Sequence, residues 1–377
     1  MEWKTLQLGD PIFKINTRTT TLRELPKKFS YIDIDAVKTG KITNPKLVTK
    51  DKAPSRARRI VKEGDVLIAS VRPYLRSFAL VTGENSDCIA STGFFVIEKS
   101  PDIEPRYILY YALSDDFIRQ TNELTQGASY PALNRELLNL IFIPIPFKNG
   151  KPDIAEQKRI ADELDIAASL HEKIKSEIRI AENLFISICG REFSEIKLNF
   201  KYEKLGNVCN IIKGKFPTLK TPEGKYTFVV TSEKRKSANG YQFDGEAVCV
   251  PLVSSTGHGH ASLHRIHFER GRFALANIMV AIVPKDSSKI LAKYLYYYLS
   301  FYRNDLFVPL MRGVANVTIP LNEFNGVNVA IPDIQEQQKI VSMLDEVEKL
   351  KKKFSHNAGL SERFLQSATY YSFQMQT

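Results

Sequence analysis

Apolar residues recur at alternating steps of three and four along two stretches of the chain. In the first, Ile160, Leu164, Ala167, His171, Ile174, Ile178, Ala181, Phe185 and Ile188 hold that spacing, which is the seam of a heptad helix. In the second, Ile340, Leu344, Val347, Lys351, Phe354, Ala358 and Leu365 fall in the same register. Each stretch opens on a capping-box arrangement, Asp153 with Glu156 and Asp333 with Glu336, in which the aspartate accepts from the first turn and the glutamate reaches back. At about 1.5 Å of rise per residue, a helix of about 38 residues is a rod near 57 Å long. Matched seams predict that the two helices pack on each other, with Ile160, Leu164, Ile174, Ile178 and Phe185 facing Ile340, Leu344, Val347 and Phe354. His171 and Lys351 share one seam position, where a polar residue fixes helix register rather than performing chemistry.

Ahead of each helix lies a mixed segment of strands and loops. Its apolar runs are Tyr31 to Val37, Val66 to Val71 and Phe94 to Ile97 in one case, and Phe228 to Val230, Ala247 to Val253 and Met279 to Val283 in the other. A tyrosine-rich helix follows, opened by Pro105 in the first copy and by Ser287 or Ser288 in the second. A helix this aromatic is expected in the core rather than as a stacking platform for bases. A proline-marked strand then leads into the long helix.

The order is the same because the chain is written twice. A shift of 186 sets Ala90 on Ala276, Lys99 on Lys285, Tyr110-Tyr111 on Tyr296-Tyr297, Gly127 on Gly313 and Ile145-Pro146 on Ile331-Pro332. Past a six-residue insertion, Phe147 to Pro152, the shift becomes 180, pairing Glu156-Gln157 with Glu336-Gln337. Near the two starts a shift of 197 pairs Leu8-Gly9 with Leu205-Gly206. Two homologous halves are expected, about 1–192 and 193–377. Their parts are a first mixed domain over 1–150, a helix over 151–192, a second mixed domain over 193–332 and a helix over 333–377. The fold class is mixed α/β, with a pseudo-two-fold internal repeat and the two helices as an antiparallel coiled coil.

Charge adds a direction. Lys and Arg number 53 against 42 Asp and Glu, a formal net charge of +11, which favours a polyanionic partner, nucleic acid above all. The surplus gathers in the variable segments. From Lys38 to Arg76 there are 11 basic and three acidic residues, including Arg56, Arg58, Arg59, Arg72 and Arg76. From Lys213 to Lys236 there are seven against two. One such run is usually a solvated face; one per repeat suggests two DNA-contacting lobes. No apolar run approaches the roughly 18 residues of a membrane helix, and the first residues lack the layout of a signal peptide. Cys88, Cys189, Cys209 and Cys249 show no CxxC spacing, so neither a disulfide framework nor a cysteine zinc site is expected. A cytoplasmic protein is expected.

The usual marks of enzyme chemistry are missing. No GxxxxGK[ST] phosphate loop and no GxGxxG dinucleotide loop occurs. Asp153, Glu195 and Lys197 can be assembled into a nuclease-like set, but Asp153 is better used as a helix cap. One cluster is tempting: Thr256-Gly257-His258-Gly259-His260, then His264 and His267. These imidazoles would make a metal-dependent nuclease the alternative reading. No Cys, Asp or Glu nearby completes a familiar ligand set, so a glycine-rich loop that approaches DNA closely is preferred.

The arrangement resembles the specificity subunit of type I restriction–modification enzymes. Carrying the resemblance are Tyr31-Ile32-Asp33-Ile34, Gly64-Asp65-Val66-Leu67 with Arg72-Pro73, and Gly127 before Tyr130-Pro131. So does Ile143-Pro144-Ile145-Pro146 leading to Glu156-Gln157-Lys158-Arg159-Ile160, repeated as Ile331-Pro332 leading to Glu336-Gln337-Gln338-Lys339-Ile340. The resemblance implies two target recognition domains, each reading one half of a split sequence in double-stranded DNA, and helices that act as spacer and dock two modification subunits. It implies no catalysis and no cofactor in this chain: adenine methylation belongs to the modification (methyltransferase) subunits, and ATP-driven cleavage to restriction subunits joined through them. The expected DNA-contacting residues are Arg56, Arg58, Arg59, Arg72, Tyr74, Arg76, Gly127, Ser129 and Tyr130 in the first lobe. In the second they are Lys213, Lys215, Lys234, Arg235, Lys236, Thr256, His258, His260, Arg312 and Asn316. A helical scaffold that binds only proteins is the other alternative.

Overall fold

The computed structural model describes residues 2–125, 131–255, 261–313 and 317–374. They form two compact units. Unit 1 comprises residues 1–175 with 356–377, and unit 2 residues 176–355. The helix Ile154–Asn199 and the helix Ile334–Phe373 each contribute one part to each unit.

Both long helices are capped by their aspartates, but without the reciprocal arm of a capping box. Asp153 Oδ1 accepts from the amides of Ala155 and Glu156 at 3.1 and 3.2 Å, and Asp333 Oδ1 from that of Glu336 at 2.9 Å. The Asp153 N–H instead donates to Pro146 O at 2.7 Å. Glu156 pairs with Arg159 and Glu336 with Lys339, one turn on. The first helix passes the expected end at 192 because the next apolar positions, Phe193 and Ile196, are buried.

In unit 1 the strand Glu2–Gln7 runs antiparallel to Phe142–Lys148, with Thr5 opposite Pro144. Beyond this pair lie two small sheets. One orders Phe94–Ile97, Val66–Ala69 and Phe78–Leu80; the other Lys46–Thr49, Lys28–Ile32, Ile89–Ser91 and Ala57–Ile60. Val66–Ala69 and Phe94–Ile97 are buried at every position, as continuous apolar runs in interior strands should be. The run from Tyr31 to Val37 is not one strand. Asp33 turns its carboxylate onto the Ala36 amide at 3.1 Å and starts a 3-10 turn, the competition with backbone pairing that Asp introduces. Asp65 is fully buried and accepts from the amides of Lys62 (2.8 Å) and Lys99 (3.1 Å) and from Arg18 Nη2 (2.6 Å).

Unit 2 replaces the two small sheets by one of six strands. Its order is Cys209–Lys213, Met279–Pro284, Phe243–Pro251, His267–Leu275, Tyr226–Val229 and Lys236–Ala238. Only the pair Tyr226–Val229 and His267–Leu275 is parallel. The strand pair Tyr202–Lys204 and Asn328–Ala330 is the counterpart of the terminal pair in unit 1.

The frame around these differing sheets is the same in each unit. Gln157 is wholly buried, accepts from the Glu104 amide at 2.9 Å and donates to Asp102 O at 3.3 Å. Gln337, equally buried, accepts from the Leu291 amide at 2.9 Å and donates to Lys289 O at 2.8 Å. Tyr107 donates to Pro144 O at 2.6 Å and Tyr294 to Ala330 O at 2.8 Å. Tyr110 bonds Asp165, and Tyr297 bonds Asp345. Tyr110 therefore corresponds to Tyr297, not to Tyr296, and the register of the tyrosine-rich helix is 187 rather than 186. The amide of Leu8 donates to Ile141 O at 2.9 Å and that of Leu205 to Val327 O at 2.8 Å. A Cβ on Gly9 would stand 3.0 Å from Asn139 Cβ, and one on Gly206 would stand 2.6 Å from Asn325 Oδ1.

The helix seams are distributed between the units. Ile160, Leu164, Ala167 and His171 are buried in unit 1, where His171 Nδ1 lies 2.9 Å from Ser361 Oγ of the other helix. Because Ser361 belongs to the later part of the second helix and His171 to the early part of the first, the pairing is antiparallel. In unit 2 Ile340, Leu344 and Val347 are buried, and Phe185 meets the Tyr297 ring edge-on at 5.8 Å. Ile174, Ile178 and Phe354 are half-buried. Past Phe185 the fully buried line runs through Cys189 and Phe193 rather than Ile188. There the helix packs on the tyrosine helix, Phe193 touching Tyr294 and Tyr298, and steps of four follow the 3.6-residue turn rather than the 3.5 of a coiled coil.

Candidate nucleic-acid interface

The basic residues of the first lobe are gathered by backbone pairing. Thr92 N donates to Arg56 O, and both Ser70 N and Oγ donate to Gly93 O. Leu133 N then donates to Ser70 O, and Arg72 N to Pro131 O. Residues 56–59, 70–72 and 131–135 thus form neighbouring ribbons. Arg56 is exposed and Arg58 and Arg59 half-buried, on the strand Ala57–Ile60.

Arg72 and Arg76 bracket a 3-10 turn, Pro73–Leu75, and both hold left-handed backbone, φ 48° and 51°. Left-handed non-glycine residues cluster at functional sites. Pro73 is buried under the turn, which presents Tyr74 and Leu75 to solvent at 46% and 57% exposure. Arg76 itself is engaged by Asp115. Gly127, Ser129 and Tyr130 lie outside the described residues.

The second lobe does not make one basic patch of its candidates. Lys213 and Lys215 are exposed on either side of Gly214, where a Cβ would stand 2.1 Å from Ala276 O. The strands that carry Lys213 and Lys236 occupy opposite edges of the six-stranded sheet. Lys234 and Lys236 are exposed, but Arg235 turns inward, pairs with Glu269 and donates to His267 Nδ1 at 3.0 Å. Its guanidinium is used in folding the sheet. Arg312 is exposed, with Nη1 on the carbonyls of Pro309 (2.8 Å) and Met311 (3.1 Å). Thr256, His258, His260 and Asn316 lie outside the described residues.

The remaining two histidines of that cluster point to different environments. His264 is exposed, its amide held by Ser255 Oγ at 2.9 Å. His267 is buried, and burial together with the Arg235 charge pushes its pKa down to about 4. A neutral ring beside a guanidinium is a poor place for a cation. Among the described residues no group of three or more His, Cys, Asp or Glu is placed to hold a metal ion. The tyrosine-rich helices lie in the core as expected: Tyr107, Tyr111, Tyr294, Tyr297 and Tyr298 are buried, and burial raises their pKa values.

Sequence reasoning missed Arg135, which donates from Nη1 to Ile15 O at 2.8 Å and whose charge reaches Arg59. An isolated arginine behind Asn134 carries no pattern, so only the fold brings it to the cluster.

A family model described as "Type I restriction modification DNA specificity domain" matches the chain twice, over residues 1–179 and 197–358. The specificity subunit of the type I restriction enzyme HindI of Haemophilus influenzae is 24% identical over 195 residues, 48% of this chain and 38% of that protein. The match thus spans well under half of that relative's length. A chain from a structure of a type I R-M system is similar over 100% of this chain and 98% of its own, with TM-score 0.61 and 24% identity. The type I S subunit from M. genitalium aligns over 100% and 97%, with TM-score 0.62 and 15% identity, and the HsdS subunit from Thermoanaerobacter tengcongensis over 100% and 97%, with TM-score 0.50 and 23% identity. With the family model covering both halves and the fold shared from end to end, the chain belongs to the type I restriction–modification DNA specificity family.

Proposed function

We propose that this chain is the non-catalytic DNA-recognition subunit of a type I restriction–modification system in the cytoplasm, reading a bipartite target in double-stranded DNA. The observation that carries the reading is a repeated frame bearing unlike sheets. The Gln157 and Gln337 clamps are the same, whereas two small sheets stand in one unit where a six-stranded sheet stands in the other. Equal anchoring with different outer surfaces suits two readers of two different half-sites. Arg56, Arg58, Arg59, Arg72 and Tyr74 are the proposed contacts of the first lobe, and Lys213, Lys215, Lys234, Lys236 and Arg312 those of the second. Phosphate contacts supply affinity, and base-edge contacts specificity.

The helices also suit two modification subunits, one per unit. Unit 1 exposes Ile166, Leu170, Leu360 and Phe364, and unit 2 exposes Ile180, Leu184, Ile186 and Leu350. Exposed apolar side chains of this size, grouped on helices, mark protein partners. Restriction subunits would join through the modification subunits. No helix among the described residues is long and apolar enough to cross a membrane.

The test is a domain exchange. Residues 1–150 are replaced by the matching segment of a relative, and the methylated motif is sequenced from cells that also make the modification subunit. One half-site should change and the other stay. A change in both halves would refute independent readers, and an unmethylated genome with wild-type chain and partner present would refute the function.

A further inference from the structure

Arg56, Arg58 and Arg59 are not equivalent. Arg56 is an ordinary exposed cation, but Arg58 Nη1 and Arg59 Nε are shielded from solvent and have no acceptor among the described residues. Other partly buried arginines of this unit rest on acids: Arg18 on Asp65 and Glu98, Arg106 on Glu104, Asp162 and Asp165. The strand that carries Arg58 and Arg59 is irregular, its pairing with Ile89–Ser91 slipping between Ala57 and Arg59. Such bulges re-aim side chains and recur beside functional sites.

The segment 15–20 links the strand of Arg58 and Arg59 to a third arginine, the exposed Arg135, whose charge reaches Arg59. Ile15 O accepts from Arg135 Nη1 at 2.8 Å, Thr19 bridges Arg59, and Thr20 N donates to Arg58 O at 2.9 Å. Burial lowers the basicity of Arg59, and the Arg135 charge lowers it further, with no carboxylate acting against either. Shielded guanidinium donors without acceptors, beside a like charge, destabilise the free protein. An anion seated against the accessible part of these half-buried side chains would offset their charges, and a planar guanidinium fork matches phosphate oxygens.

Resting on the DNA-binding reading above, we propose that Arg58, Arg59 and Arg135 form an anion pocket that seats one backbone phosphate of the first half-site. The DNA backbone is the favoured source because the pocket adjoins the ribbons carrying exposed Arg56 and the Arg72–Arg76 turn, in a chain of net charge +11. The pocket is thus a fixed register point for the lobe, while bases are read elsewhere.

The test uses the full chain with its modification subunit, as wild type, Arg59→Met, Arg135→Met and the double variant. Without DNA, Arg59→Met should raise the unfolding midpoint by about 2–4 °C, a gain that a merely structural arginine would not give. With DNA, each single variant should bind roughly tenfold more weakly, and the slope of log affinity against log salt should fall by about one. The double variant should lose no more slope than either single one, because the phosphate is shared. Wild type that binds DNA alongside variants with unchanged affinity and slope would overturn the pocket and leave the function standing. Wild type that binds no DNA would overturn both. Inorganic phosphate that stabilises wild type in preference to Arg59→Met, with the DNA slope unchanged, would assign the pocket to a free anion and overturn the DNA phosphate.

Discussion

Gln157 and Gln337 occupy one structural position: each is wholly buried and each receives, at 2.9 Å, the amide that precedes a tyrosine-rich helix. Each therefore pins the start of a long helix to the domain in front of it. Replacing Gln157 by Ala leaves the Glu104 amide and Asp102 carbonyl without partners, at about 1–3 kcal/mol. The loss should appear in unit 1, with hydrogen exchange accelerated around 102–112 and unchanged around 289–300. Gln337→Ala should give the mirror result.

Asp65→Ala should be among the most damaging single changes in unit 1. It strips the Lys62 and Lys99 amides and the Arg18 guanidinium of their shared acceptor. Removing one member of a buried pair costs about 3 kcal/mol or more. Denaturant unfolding measures it; a loss under 1 kcal/mol would show that solvent replaces the carboxylate easily.

Acid should loosen the second lobe through His267. Its folded pKa, near 4, lies below the ordinary value of 6.5, so the unfolded chain takes up the proton first and stability falls as pH drops from 6.5 towards 4. Between pH 6.5 and 5 the loss is about 1–2 kcal/mol. Unfolding measured across that window should flatten in His267→Gln; an unchanged slope would place the titration elsewhere.

Phe373 packs edge-on against Tyr107 and Tyr111, with ring centroids 5.0 and 5.2 Å away. Phe373→Ala should cost about 3 kcal/mol, confined to unit 1. Near-ultraviolet dichroism of the tyrosines and the unfolding midpoint are the measurements. No change in either would mean the helix end is held by other residues.

Much of the frame was legible because it depends on local pattern. The caps at Asp153 and Asp333, the proline-marked strands and the seam through Ile160, Leu164, Ile340 and Leu344 all follow from spacing. The register of the tyrosine helix was not legible, since Tyr296, Tyr297 and Tyr298 match Tyr110 and Tyr111 almost equally well at two shifts. The bond from Tyr297 to Asp345 decides between them, together with the matching bonds of Tyr107 and Tyr294. The six-stranded sheet had no signal in the first half to suggest it. At the interface, charge runs located Arg56, Arg58 and Arg59, but a sequence holds no record of which cations find acids. Arg235 is taken by Glu269, while Arg59 gains Arg135 as a neighbour from 76 residues away.

Unit 2 is one continuous stretch, 176–355, whereas unit 1 needs residues 356–374 to complete what residues 2–175 begin. A ribosome makes about 5–20 residues per second, so the 266 residues between Tyr107 and its partner Phe373 set the two apart by more than ten seconds. During that time the first domain is on the outside without its last aromatic ring, and the domain made later can close first. The order of synthesis and the order of completion are thus reversed. A chain cut short before Phe373 would leave Tyr107 and Tyr111 without that covering ring, open for chaperones and proteases to find.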